Sequence, residues 1–225
     1  MRLLPLLAAA ACSSLEEGEG GVVGLEIQFP EVPILEVGEQ VQLSARALDA
    51  DGETVDATIL WRASSAALGV DATVLVTGLQ EGTADVQAAV GSLTSERVRF
   101  SVLARADTLI IEGDSVLVIP VAADPPVSAN LAVRLESLSP AGPAGSHPVI
   151  YEITQPVAGT TPVVQLTGGV QSDTLTTTAA GTATIALGLV AGQTPLDTAI
   201  VEVRANRLRG SIVPGSGQRF IVLFQ

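Results

Sequence analysis

Short apolar runs, each closed by a turn signal after about ten residues, constrain this chain more than any other feature of its sequence. In residues 40–48 the apolar side chains Val41, Leu43 and Ala45 alternate with polar ones, and the run stops at the turn 49–52. A period of two is that of a strand with one buried face. Alternating runs closed by turns recur along the chain, and we find no apolar repeat with the period and length of a helix. The sequence therefore predicts an all-β protein made of sandwiches.

The charge balance limits the partners that the chain can have. Its 225 residues carry 24 acidic side chains and 11 basic ones, all of them arginine, for a net charge of −13. Residues 12–104 hold 15 acids and 4 arginines (−11), and residues 105–225 hold 9 acids and 6 arginines (−3). Such a surface disfavours nucleic acid and anionic lipid as partners, since both need a basic face. The negative charge either serves solubility as a solvated surface or binds a calcium ion or a cationic partner.

The first residues have the pattern of an export signal. Arg2 precedes nine residues, 3–11, that are apolar but too few to span a bilayer. The run Leu-Leu-Ala-Ala-Ala-Ala-Cys that ends at Cys12 resembles a bacterial lipobox. The resemblance implies removal of residues 1–11 as a signal peptide, lipid attachment at Cys12 and an acidic, flexible tether over residues 12–21. Ordinary signal cleavage, which would leave Cys12 as a free thiol, is the alternative.

Residues 22–104 are predicted to form the first domain. A set of segments there is similar to the bacterial immunoglobulin-like group 2 family. These are VGEQVQLSA at 37–45, Asp51-Gly52, Trp61 followed by Ser64-Ser65, VTGL at 76–79 and GTADVQA at 82–88. The resemblance implies an immunoglobulin-like sandwich. We expect Trp61 to fill the space between its sheets, because no disulfide is possible in a chain with one cysteine.

Residues 105–225 are predicted to form a second, different domain. Three segments resemble invasin/intimin-type group 1 bacterial immunoglobulin-like domains: PVIYEI at 148–153, TAAGTAT at 178–184 and AIVEVRA at 199–205. The second strand-rich unit would then carry Tyr151 as a core residue. The predicted boundary at 103–106 is short, so we expect two tandem domains with limited bending between them.

The sequence offers little that could support catalysis. His147 is the only histidine, and we interpret it as a loop residue next to Pro148. One histidine and one cysteine do not supply the usual zinc or haem ligands, and no phosphate-binding glycine motif is present. The acidic stretch 49–56 faintly resembles a calcium loop but fits an exposed turn better. We therefore expect no enzyme activity, no cofactor and no metal.

The densest basic cluster comprises Arg204, Arg207 and Arg209. In an otherwise acidic chain, these side chains could contact an acidic partner or lipid phosphate. Solvated positions on strands and loops are the favoured interpretation, and partner contact is the alternative.

These features together predict an exported, non-enzymatic lipoprotein that interacts with proteins. It would be held by lipid at the periplasmic face of a membrane or at the cell surface, and Ser13 after the cysteine is compatible with outer-membrane sorting. It would serve either as an extrinsic accessory subunit of a membrane complex or as an adhesion-type module. A carbohydrate-binding module is the alternative, although six aromatic residues in all leave few for stacking on sugars.

Overall fold

The computed structural model describes residues 21–121, 127–157, 162–194 and 196–225, and the elements within these ranges are all β-strands. In this part of the chain no helix is long and apolar enough to cross a membrane. The strands form two sandwiches in tandem, which agrees with the predicted fold class.

The N-terminal sandwich contains eleven strands. They are β1 (Gly24–Gln28), β2 (Ile34–Glu36), β3 (Gln40–Gln42), β4 (Ser44–Leu48), β5 (Thr54–Val55), β6 (Leu60–Ala63), β7 (Leu68–Val70), β8 (Leu75–Gly78), β9 (Gly82–Val90), β10 (Leu93–Thr94) and β11 (Val98–Leu103). The largest sheet has the order β10-β9-β11-β2, with β6 also paired to β9, and two three-stranded sheets have the orders β1-β4-β5 and β3-β8-β7.

The C-terminal sandwich contains ten strands. They are β12 (Thr108–Glu112), β13 (Val116–Ile119), β14 (Val127–Leu138), β15 (Ala141–Pro143), β16 (Pro148–Gln155), β17 (Val164–Leu166), β18 (Ser172–Thr176), β19 (Thr182–Leu189), β20 (Thr198–Ala205) and β21 (Gln218–Phe224). Its two sheets have the orders β12-β14-β19-β17, with β15 on β14, and β13-β21-β20-β16-β18.

Each sandwich uses one parallel pair to bring an early strand beside its last strand. β2 runs parallel to β11, with Ile34 opposite Ser101, and β13 runs parallel to β21, with Val116 opposite Ile221. The other named pairs are antiparallel, as expected for hairpin-rich sandwiches. The parallel pairing fixes the end of β2 near the end of β11, where the chain leaves the N-terminal sandwich.

The core of the N-terminal sandwich is centred on Phe100 rather than on Trp61. Phe100 is fully buried with Leu35 and Val76, whereas Trp61 is half-buried and packs against the edge of this cluster. Trp61 therefore packs against the core, as expected, but does not fill its centre. Its strand, β6, pairs only with β9 among the described residues.

The core of the C-terminal sandwich contains Tyr151, which is fully buried on β16. Its hydroxyl donates a hydrogen bond to the carbonyl oxygen of Ala183 at 2.7 Å, so the polar end of the side chain is satisfied inside the core. Burial raises the pKa of the Tyr151 phenol far above its ordinary value. Tyr151 is a structural residue in this environment.

Gly78 and Gly82 are required for different reasons. Gly82 has a φ of 142°, which side chains disfavour. Gly78 ends β8 and gives close backbone approach: a Cβ there would lie 2.8 Å from the carbonyl oxygen of Glu36. Gly78 therefore allows the end of β2 to pack tightly at the junction with the second sandwich.

Candidate functional site: the polar interface between the two sandwiches

Glu36 is the centre of the junction. It is the last residue of β2 and is fully buried, at 0% exposure, although it carries a carboxyl group. Its own backbone N–H donates to Oε2 of Glu39 at 2.9 Å. Its side chain turns towards the C-terminal sandwich, and a carboxyl group in such a place needs partners, because its charge loses the stabilisation of water.

His147 supplies the first partner. It is also at 0% exposure, and its Nε2 lies 3.1 Å from Oε1 of Glu36. Its Nδ1 lies 2.8 Å from the carbonyl oxygen of Gly145. Both nitrogens of the imidazole ring therefore face oxygen atoms. His147 does lie in a loop directly before β16, as interpreted from the sequence, but this loop contacts the other sandwich and the side chain is buried.

The backbone around His147 is clamped in place by Thr177. The N–H of His147 donates to Oγ1 of Thr177 at 3.0 Å, and the N–H of Thr177 donates to the carbonyl oxygen of His147 at 2.9 Å. Gly145 has no room for a side chain, since a Cβ would lie 2.7 Å from the carbonyl oxygen of Thr178. These contacts all lie within the C-terminal sandwich, and they position the imidazole and the Gly145 carbonyl.

A tight turn in the C-terminal sandwich supplies the second and third partners of Glu36. The N–H of Leu208 donates to Oε1 of Glu36 at 3.0 Å, and Nε of Arg207 lies 3.9 Å from Oε2. Arg207 is anchored by hydrogen bonds from its guanidinium to the carbonyl oxygen of Ala106 at 2.9 Å and to Oδ1 of Asp107 at 3.0 Å. The turn is therefore tied both to the linker and to Glu36.

Further ion pairs surround this centre. Nε of Arg209 lies 3.6 Å from Oε2 of Glu39, across the junction, and Nε of Arg105 lies 2.9 Å from Oδ1 of Asp107 within the linker. Arg209 is nearly half exposed, so its pair with Glu39 is screened by solvent and contributes little. The buried pair of Glu36 and His147, with the partly buried Arg207 beside it, is the part of the interface where partners matter most.

The three arginines predicted as one partner-binding cluster are divided by the structure. Arg204 lies on β20, is exposed and pairs with Glu152 across the sheet. Arg207 and Arg209 instead face the first sandwich, as described above. Acids of the same chain engage both of these charges, so the three arginines do not form one surface, and contact of any of them with a partner stays a prediction. Cys12, the predicted lipid site, lies outside the described residues.

Two other features could hold a ligand. In the 49–56 turn, Oδ1 of Asp49 accepts hydrogen bonds from the N–H groups of Asp51 and Glu53, and no group of three potential metal ligands is found within the described ranges.

A cleft of about 570 Å³ lies between β1 and the start of β11, and Phe29, which is 54% exposed, lines it. No pattern in the sequence indicated this cleft.

Comparison with known proteins assigns the fold of the first unit. Residues 28–100 match the family model described as bacterial Ig-like domain (group 2). The resemblance predicted for the N-terminal sandwich is confirmed over these residues. The match runs from the last residue of β1 into β11 and includes Glu36, but not the linker or the C-terminal sandwich. No curated protein matches the chain in sequence.

Solved structures that resemble the chain include bacterial surface proteins. An adhesin of Yersinia pseudotuberculosis, InvE, matches with 15% identity and a TM-score of 0.45, covering 86% of this chain and 56% of the adhesin. The D00-D0 domain of intimin matches with 14% identity and a TM-score of 0.30, covering 88% and 99%. Domains 5-6 of the S-layer protein SbsC match with 13% identity and a TM-score of 0.33, covering 91% and 98%. The chain thus spans little more than half of the adhesin, and the likeness is one of fold alone.

The sequence could have suggested part of this site. Glu36 interrupts the apolar run Ile34-Leu35-Glu36-Val37, and a carboxylate at such a position is a signal of a buried partner. His147 lies in no periodic segment, so nothing in its surroundings distinguished it from an exposed loop residue. Its role depends on a contact 111 residues away along the chain.

Proposed function

We propose that this protein is an exported, lipid-anchored interaction module of the cell envelope, with no catalytic role. One observation carries the non-enzymatic part. The only histidine of the chain is at 0% exposure and is engaged on both ring nitrogens, so it has no free nitrogen to offer a substrate. Burial of Glu36 and partial burial of Arg207 in the same interface assign these polar groups to joining the sandwiches.

The anchor is supported by the sequence around Cys12. A single cysteine directly follows a short apolar run, and an acidic stretch separates it from the first strand. In chain order the N-terminal sandwich lies between Cys12 and the C-terminal sandwich. The C-terminal sandwich would therefore be the farther of the two from the anchor and available to a partner, at the periplasmic face or the cell surface.

A candidate contact surface lies on the C-terminal sandwich. Val116 and Val118 of edge strand β13 are 49% and 54% exposed, and Ile221 of the neighbouring strand β21 is 37% exposed. We call these three side chains the valine strip. Edge strands with apolar, uncharged side chains favour pairing with another chain, so this strip supports a protein partner. It suits an extrinsic subunit of a membrane complex and an adhesion-type module equally.

The carbohydrate-binding alternative has less support. Sugar-binding surfaces usually need exposed aromatic rings for stacking, and Phe29 is the one exposed aromatic side chain among the described residues. The other aromatic side chains of the described chain are buried or half-buried. Protein contact is therefore the better supported function.

Affinity purification of the tagged chain from native membranes in mild detergent tests the proposal. We expect a lipid-modified N-terminal peptide beginning at Cys12, and release of a Cys12→Ala variant into the soluble fraction. We also expect one envelope protein to be recovered in stoichiometric amount. An integral membrane complex would identify an extrinsic subunit, whereas protease-accessible display on intact cells with a surface ligand would identify an adhesion module.

Matched variants test the contact surface in the same experiment. Val118→Lys places a charge in the valine strip, while Leu138→Lys changes an apolar side chain of the same sandwich that is 68% exposed and lies outside the strip. We expect Val118→Lys to lose the partner and Leu138→Lys to retain it. Equal recovery with both variants would contradict a role for the strip, and an unmodified Cys12 would contradict the anchor.

A further inference from the structure

We propose that docking of the two sandwiches takes up one proton, shared between Glu36 and His147, and that docking is therefore tightest in weakly acidic medium. This inference concerns the junction and is independent of the anchor and of any partner.

The hydrogen-bond geometry requires the proton. Nδ1 of His147 faces the carbonyl oxygen of Gly145, which can only accept, so Nδ1 carries a hydrogen. A neutral imidazole would then place the lone pair of Nε2 against Oε1 of Glu36 at 3.1 Å. If the carboxylate is ionised as well, two acceptors face each other at a site with 0% exposure on both sides. One added proton, on Nε2 or on Oε1, turns this repulsion into a hydrogen bond.

The groups around the pair do not remove this requirement. The N–H of Leu208 also donates to Oε1 of Glu36, and Arg207 approaches Oε2. The remaining charges nearby engage one another: Arg209 with Glu39, and Arg105 and Arg207 with Asp107. None of these groups places a donor on Nε2 of His147. The pair itself must therefore hold the added proton, which it takes from solvent on docking.

The direction of the pH dependence follows from the proton count. When the junction opens, an exposed imidazole releases its proton above about pH 6.5, and an exposed carboxyl group binds one below about pH 4.3. Above about pH 6.5 the docked state holds one proton more than the open state, so docking weakens as the pH rises, by up to tenfold per pH unit. Below about pH 4.3 the open state holds the extra proton, and docking weakens again.

Amide hydrogen exchange of the full chain measures this linkage. The N–H of Leu208 is protected by its hydrogen bond to Glu36 across the junction, so its protection factor reports docking. We expect this factor, corrected for intrinsic exchange, to fall by up to tenfold per pH unit between about pH 6.5 and 8.5. The amide of Val201, buried on central strand β20, is the internal control and should change much less. A flat profile for Leu208 would overturn the proposal.

Glu36→Gln is the decisive variant. Nε2 of His147 and the N–H of Leu208 contact the same atom of Glu36, Oε1. A glutamine amide NH2 at that position can donate to Nε2 of a neutral His147, so no proton is required, but it cannot accept the hydrogen bond from Leu208. We expect the protection of Leu208 to be reduced and its pH dependence to disappear. If the Leu208 protection factor depends on pH as steeply in E36Q as in the natural chain, other groups cause the linkage and the proposal is overturned.

The single histidine permits an independent measurement if E36Q does not fold. Nitrogen chemical shifts of the imidazole belong to His147 alone, and the carboxyl carbon shift of Glu36 completes the pair. At pH 7 we expect either a doubly protonated ring beside an ionised carboxylate, or a singly protonated ring beside a protonated carboxyl group. A singly protonated ring beside an ionised carboxylate would overturn the proposal.

Discussion

A single carboxylate holds the turn between β7 and β8. Oδ1 of Asp71 accepts hydrogen bonds from the N–H of Thr73 at 2.8 Å, from Oγ1 of Thr73 at 2.7 Å and from the N–H of Leu75 at 3.0 Å. The turn contains Val74 with a φ of 64°, which is unfavourable for a β-branched residue. The hydrogen bonds offset this strain, and they lower the pKa of Asp71, the bond from the Thr73 hydroxyl most of all.

Replacing Asp71 should therefore destabilise the N-terminal sandwich in a pH-dependent way. Because the pKa of Asp71 is lowered in the folded state, its stabilisation is present above the ordinary carboxyl pKa and is lost as the pH falls through the folded value. We expect Asp71→Ala to have a lower Tm than the natural chain at pH 7, with a smaller difference at pH 3. Thermal unfolding followed by Trp61 fluorescence measures both.

Asp71→Asn is the matched control, because the amide oxygen can still accept hydrogen bonds but does not titrate. Its Tm should lie between those of the other two proteins at pH 7. If Asp71→Ala unfolds at the same temperature as the natural chain, the carboxylate does not hold the turn.

At the scale of elements, alternation in the sequence predicts strands well but does not predict their partners. The run at 40–48 gave strands on both sides of Leu43, and 82–90 gave one long strand, β9. The parallel pairings of β2 with β11 and of β13 with β21 join segments far apart along the chain. No local pattern encodes such contacts, because they arise when the whole sandwich closes.

The same limit explains why the sequence predicted Trp61, and not Phe100, at the centre of the N-terminal core. Trp61 is the largest side chain of its sandwich, and size alone favours the centre. Whether a strand lies at an edge is decided by pairing, and β6 has one partner where β11 has two. Phe100, on β11, therefore occupies the position that the sequence assigned to Trp61. The contact between Glu36 and His147 was out of reach for a similar reason, since it joins two separately folded sandwiches.

Truncating these two aromatic residues should have unequal effects. Phe100→Ala removes a fully buried ring between two strand partners, so we expect a loss of about 3–5 kcal/mol in the free energy of unfolding. Trp61→Ala removes a half-buried ring from an edge strand and should cost less than Phe100→Ala. Urea unfolding followed by circular dichroism compares them, since Trp61→Ala has no tryptophan signal. Equal losses would place Trp61 in the core after all.

At the scale of the whole molecule, the junction couples two cores that are otherwise separate. Ala104 and Ala106 of the linker are buried in the C-terminal core, while Glu36 reaches from the N-terminal sandwich into contact with His147. A short linker that is itself packed leaves little freedom for independent movement. Breaking a buried charged pair by removing one partner typically costs about 3–5 kcal/mol, so the junction can decide whether the sandwiches unfold together.

Glu36→Ala should separate the unfolding of the two sandwiches. The chain carries one tryptophan, Trp61 in the N-terminal sandwich, and one tyrosine, Tyr151 in the C-terminal sandwich, so each sandwich has its own spectroscopic probe. In the natural chain we expect the Trp61 fluorescence and Tyr151 near-ultraviolet transitions in urea to coincide, because opening the junction exposes His147 and the packed linker together. In Glu36→Ala the imidazole and the Leu208 N–H lose the oxygen atom that both contact, and the two transitions should separate.

Glu81→Ala, which changes an exposed carboxylate of the same sandwich, is the control and should leave the two transitions coincident. Separate transitions in the natural chain, or coincident ones in Glu36→Ala, would show that the junction does not couple the two cores.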